Sequence, residues 1–152
     1  MSSSGDNQPN LQIVGQYIKD LSFENPSAPQ GFSGAPELDF GVDVQARPVG
    51  PDHHEVILHF RVSATSEGRS LFLLEMAYGA LVRATNLPED MLLPALMIQT
   101  PILVFPFARR VVADVVRDGG MPPLVIEPID FAKLYNARIA KMAEQAEKSP
   151  TA

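Results

Sequence analysis

With 152 residues and no cysteine, the chain is sized for one domain and can form neither disulfides nor thiolate metal sites. Its formal charge of −6 argues against binding a phosphate backbone, which needs clustered cations; such acidity keeps a chain soluble and can steer a basic partner.

Residues 1–9 lack the basic start and apolar run of a signal peptide and are expected to form a disordered arm. Over 10–23 a period of two predicts a first strand. Leu11, Ile13 and Tyr17 share one parity, and Gln12, Gln16, Asp20, Ser22 and Glu24 the other. The pattern falters at Val14, Ile18 and Lys19. Pro26, Pro29, Pro36, Gly31 and Gly34 make 25–36 a crossing loop, with Phe32 in its middle belonging to no element.

Over 37–45 the alternation is clean, with Leu38, Phe40, Val42 and Val44 facing one way and Glu37, Asp39, Asp43 and Gln45 the other. A Pro/Gly turn at 47–52 leads to a third strand over 54–65, its inward set Val56, Leu58, Phe60 and Val62. A fourth follows over 71–85, with Phe72, Leu74, Met76, Tyr78, Ala80 and Val82 inward. Leu71, Leu73, Leu81 and Ile57 are left on the outer face. A two-residue loop at Glu67-Gly68 pairs Ser66 with Arg69 and mismatches the faces. A three-residue loop with Gly68 in the left-handed position is therefore expected. It sets Glu75 opposite His59, and a shifted odd-length loop sets it opposite Arg61.

Beyond Thr85 the period changes. Residues 88–98 can form a short helix interrupted by Pro94. Thr100-Pro101 reads as an N-cap with proline at N1, opening a helix that Pro106 bends and Gly119-Gly120 stops. The stretch from Thr100 to Val116 is too apolar for one buried face and points to self-assembly or to binding of other chains. Pro94, Pro101 and Pro106, with Gln99, Arg109, Arg110 and Asp114, break it as a membrane span. A Pro-rich connector bearing Leu124, Val125 and Ile126 precedes a last helix, capped by Asp130, with Phe131, Leu134, Tyr135, Ile139 and Met142 on one stripe. The tail is expected to loosen from about Glu144. The expected class is α+β: a four-stranded antiparallel sheet with helices packed on one face.

Chemistry is sparse. His53 and His54 point to opposite faces and cannot share an ion; His59 stands alone, so no metal site is expected. No P-loop, dinucleotide fingerprint or nucleophile elbow is present, and no catalytic set stands out. Asp20, Glu24 and Glu75 share the outer face with Leu73. They read either as solvated carboxylates with a His59 or Arg61 partner or as an acidic docking patch with an apolar centre. Leu38, Phe40 and Val42 read either as core or, with Phe32, Leu124 to Ile126, Phe131, Leu134 and Tyr135 nearby, as a groove for extended peptide.

Several separate segments, in order, resemble the SecB family of bacterial export chaperones. One is Gln12-Ile13 with Tyr17 and the run Lys19-Asp-Leu-Ser-Phe-Glu-Asn-Pro-Ser-Ala-Pro29. Others are Phe72-Leu-Leu-Glu75, Pro101-Ile-Leu-Val-Phe-Pro-Phe-Ala-Arg109, Gly120, and Pro123-Leu-Val-Ile-Glu-Pro-Ile-Asp-Phe131. The likeness spans about 11–142. It implies a chaperone domain over 10–142 with a flexible tail at 143–152, assembled as a homotetramer that is a dimer of dimers. It implies no catalysis, no cofactor, no nucleic acid and no membrane insertion. The family's role is to hold precursor proteins unfolded in the cytoplasm and deliver them to the SecA ATPase.

By position, the resemblance implies SecA docking at Asp20, Glu24, Leu73 and Glu75. The client groove would use Phe32, Leu38, Phe40, Val42, Leu124, Ile126, Phe131, Leu134 and Tyr135. Contacts between subunits are expected at Ile13, Tyr17, Phe105, Arg109 and Val112. The less acidic tail, with Lys141 and Lys148, weakens the case for a second SecA contact there. A SecB-like holdase serving a toxin–antitoxin pair differs only in clients, and a small α+β enzyme or ligand-binding domain is the rival of another class.

Overall fold

The computed structural model describes residues 7–31 and 34–148. Most of the arm expected at 1–9, the aromatic Phe32 and the last four residues of the expected tail lie outside them. Four strands appear where the alternation predicts them: β1 (Asn10–Glu24), β2 (Glu37–Gly50), β3 (His53–Ser66) and β4 (Arg69–Thr85). All pair antiparallel in the order β1-β4-β3-β2, so β1 and β2 are the two edges. The loop after β1 crosses from one edge to the other. The even-numbered side chains of β3 and β4 are buried from Val56 to Val62 and from Phe72 to Val82. Each fully covered aliphatic there contributes roughly 1.5–3 kcal/mol.

Two corrections concern parity. β1 carries two bulges against β4: Ile13 pairs with Val82 but Gly15 with Leu81, and Ile18 pairs with Tyr78 but Asp20 with Ala77. Val14 and Lys19, two of the positions where the pattern faltered, are the extra residues. Each bulge shifts the alternation by one. Leu11 and Ile13 therefore face the helices, whereas Tyr17 faces outward over Gly79. After the second bulge Leu21 and Phe23 face the helices, and Asp20, Ser22 and Glu24 face outward.

The β3–β4 hairpin does use the two-residue loop: Ser66 pairs with Arg69, and Glu67 and Gly68 both take positive φ, 51° and 76°. Those angles match the strand twist. The parity mismatch is removed one step later, because Thr65 pairs with Ser70 but Ala64 with Phe72. Leu71 is the extra residue, and it joins the helix-side core at 6% exposure instead of the outer face. The resulting register sets Glu75 opposite Arg61.

From Glu89 to Asp118 the backbone is helical throughout. It comprises α1 (Glu89–Pro94), one π-helical segment (Ala95–Gln99) and α2 (Thr100–Asp118). Thr100 is not an N-cap. It sits at φ −61°, ψ −50°, is fully buried, and its hydroxyl donates to the Ala95 carbonyl at 3.0 Å. Its amide donates to the same carbonyl. Pro101 supplies no N–H and crowds the carbonyl one turn back, and the widened turn is how the helix passes it. By length and composition this helix could cross a membrane, and the prolines do not cut it. Here the face bearing Val104, Phe105, Ala108, Val112 and Val116 is buried on the sheet. At its end Gly120, at φ 87°, lets its own amide reach the Arg117 carbonyl and that of Met121 reach Val116, a Schellman closure. α3 (Phe131–Lys148) starts where Asp130 accepts the Lys133 amide at 3.0 Å. It stays helical past Glu144, where the tail was expected to loosen.

Candidate functional site

Two surfaces carry the candidate residues. On the outer face, β1 places Asp20, Ser22 and Glu24 opposite Ala77, Glu75 and Leu73 of β4. On the other side of β4, Ser63 and Arg61 oppose Leu73 and Glu75. Asp20, Glu24, Leu73 and Glu75 thus share one end of one face, the three carboxylates exposed and Leu73 half-buried. Arg61 Nη1 lies 3.5 Å from Glu75 Oε1. His59 pairs instead with Ala77 and Asp43 and contacts Gln45 at 3.3 Å. A shallow hollow of about 660 Å³ adjoins the patch, with Lys19, Asp20, His59, Arg61 and Glu75 on its walls.

Further along the same face lies a cluster that pattern reading missed. Glu55 on β3 is only 6% exposed. Lys19 Nζ donates to both its oxygens at 2.8 and 3.0 Å, Arg47 Nε donates at 2.9 Å, and the Tyr17 hydroxyl donates as well. These donors hold the Glu55 carboxyl down at about 2, Lys19 first and Tyr17 next, against the opposing effect of burial. Burial, together with the hydrogen bond to Glu55, pushes Tyr17 up to about 12. The cluster ties β1 and β2 to β3. It exists because Gly79 has no side chain: a Cβ there would lie 2.4 Å from the Tyr17 ring. The signal for it was the glycine in a central strand, but only the bulge brings Tyr17 over it.

The helix-side face is apolar and incompletely covered. Leu38 is 50% and Phe40 38% exposed, although both point to the same side as the core. Val42 is half-buried. Phe40 begins a row of rings, Phe40–Phe60–Phe105–Phe131, with centroids 6.1, 6.3 and 5.8 Å apart. Beside it a groove of about 270 Å³ is lined by Pro36, Leu38, Phe72, Val116, Met121 and Leu124. A second hollow of about 400 Å³ lies between β2 and α3, with Val44, Met97, Leu134, Tyr135 and Met142 on its walls. There Arg138 of α3 donates to the Val44 carbonyl and lies 3.6 Å from Asp43. Of the expected groove residues, Leu38 and Leu124 meet in the first hollow, and Leu134 and Tyr135 line the second. Ile126 and Phe131 are buried in the core at 8% and 2% exposure.

The residues expected between subunits divide. Phe105 and Val112 are 5% and 0% exposed in the subunit's own core, so they offer no surface to a second copy. Arg109 lies over the Phe105 ring at 5.5 Å, Ile13 is half-buried, and Tyr17 is engaged with Glu55. The exposed apolar stripe of α2 is instead Ile102, Leu103 and Phe107, each at least half exposed. Helical spacing puts it on the side opposite Val104, Phe105 and Val112.

A family model described as preprotein translocase subunit SecB matches residues 4–142. The chain belongs to the SecB family. Proteins called "Protein-export protein SecB" resemble it closely. That of Paramagnetospirillum magneticum is 50% identical over 141 residues, covering 90% of each chain. That of Rhodospirillum rubrum is 47% identical over 148 residues, covering 95% of this chain and 92% of the other. That of Azorhizobium caulinodans is 44% identical over 146 residues, covering 94% and 91%. Among solved structures, a Mycobacterium tuberculosis SecB-like chaperone in complex with an antitoxin peptide superposes with a TM-score of 0.62. It is 18% identical and covers 78% of this chain and 90% of that one, a likeness of fold. The SecB family is one of protein-export chaperones and not a class of enzymes. Among the described residues, no three His, Asp or Glu side chains are grouped to hold a metal.

Proposed function

We propose that this SecB-family chain is an ATP-independent holdase that keeps precursor proteins unfolded in the cytosol and passes them to SecA. The observation that carries this reading is the exposure of Leu38 and Phe40 beside an open apolar groove. An edge strand with uncovered apolar side chains suits an extended, unfolded segment. Recognition by burial, at about 25 cal/mol per Å², selects exposed apolar stretches over any particular sequence. Folded proteins hide such stretches, so binding favours the unfolded state by mass action, without nucleotide.

In this reading SecA docks on Asp20, Glu24, Leu73 and Glu75, where carboxylates surround one half-buried leucine and attract a basic segment. Subunits join through the α2 stripe of Ile102, Leu103 and Phe107 and the exposed Ile18 and Leu21 of β1, giving a dimer of dimers. Joined grooves let one long client engage several subunits, raising avidity by about 10²–10⁴. The high identity to export proteins favours this reading over an antitoxin-dedicated holdase. The test is whether the purified protein delays refolding of an unrelated denatured protein with no nucleotide present. Refolding at the unassisted rate overturns the reading.

A further inference from the structure

Arg61 stands out on the acidic end of the outer face. The bulge at Leu71 fixes the register that sets Arg61 directly across from Glu75, and the two side chains meet at 3.5 Å. Both remain open to solvent, 69% and 50% exposed. Of the two cations on the walls of the adjoining hollow, Lys19 is drawn away to Glu55. Arg61 therefore already neutralises part of the Glu75 charge that would draw a partner's cation.

We propose that Arg61 is an internal competitor at the docking patch. It pairs with Glu75 in the free subunit and competes with a basic partner's cation for that carboxylate, so it sets affinity below what the acidic residues alone would give. This rests on the reading that the patch docks SecA. An exposed pair exchanged for another exposed pair is a small effect, large enough to tune affinity and too small to block it.

The test compares SecA binding to the parent chain and to Arg61→Gln, Glu75→Gln and Arg83→Gln, by calorimetry at low and high salt. Arg83 is on the same face of β4, eight residues from Glu75, a distance of about 27 Å along the strand. That is beyond two screening lengths at about 0.1 M salt, so Arg83→Gln controls for net charge. The expected result is binding about two- to fivefold tighter for Arg61→Gln, a gain that shrinks at high salt, with Arg83→Gln near the parent value. If Glu75→Gln weakens binding while Arg61→Gln leaves it unchanged or weaker, the patch stands and the competitor role is overturned. Equal tightening by Arg61→Gln and Arg83→Gln also overturns it. If Glu75→Gln binds SecA as the parent does, the docking reading itself falls, and the competitor role with it.

Discussion

The outer and helix-side faces of the sheet are built from neighbouring residues of the same strands, yet the proposed function asks different physics of them. On β4, Leu74 is buried in the core while Leu73 and Glu75 beside it face outward. The outer face carries paired charges: Glu55 holds three donors, and Glu75 holds Arg61. The helix-side face is apolar and covered only in its middle, leaving Leu38 and Phe40 open on β2 and Ile18 and Leu21 open on β1. Charges act at range and are screened by salt; apolar burial is short-ranged and tolerant of sequence. In the proposed function, one pleat thus separates a surface for one specific partner from a surface for many.

The largest way to break this contrast is through the shared core. Phe105 touches both Phe60 and Phe131 and is 5% exposed. Phe105→Ala should cost about 3–5 kcal/mol, read as a lower urea midpoint, with both surfaces lost together. A variant that folds normally would show that the ring row does not support the groove.

Next comes charge reversal on the outer face alone. Glu75→Lys should lower SecA affinity at least about tenfold, while client retention and subunit assembly stay at parent values. SecA affinity equal to the parent's would remove Glu75 from the docking surface. On the helix side, Leu38→Ser and Phe40→Ser should each speed client release about fivefold, the loss of on the order of 1 kcal/mol of covered apolar area. SecA affinity should not change. Circular dichroism settles the alternative: if either variant unfolds the subunit, these residues are core.

The last test, on stability and not on binding, belongs to Glu55. Its carboxyl titrates in the folded chain near 2, well below its ordinary 4.5. The stability it contributes is therefore complete above about pH 4.5 and is lost as pH falls toward 2. Urea midpoints measured across that window should fall for the parent and flatten for Glu55→Gln. A parallel fall in both would show that other carboxylates govern acid unfolding.

Much of this chain was legible as pattern. Clean alternation in β2, β3 and β4 placed the even residues inward because a strand's side chains reverse at every step, and Asp130 and the Gly119-Gly120 pair marked helix ends through local hydrogen bonding. The outward group of Asp20, Glu24, Leu73 and Glu75 was also readable, because two bulges in β1 restored the parity that one would have reversed.

Local spacing had no means of showing the rest. Tyr17 crossing to Glu55, Leu71 turning into the core and Arg61 meeting Glu75 all depend on single extra residues, whose placement is set by pairing across strands. Thr100 back-bonding inside a helix, and Phe105 and Val112 filling their own core while Ile102, Leu103 and Phe107 stay open, depend on how a long helix settles on the sheet. Composition and periodicity are properties of neighbours along the chain. Register and burial are settled between segments far apart in it, where packing outweighs local preference.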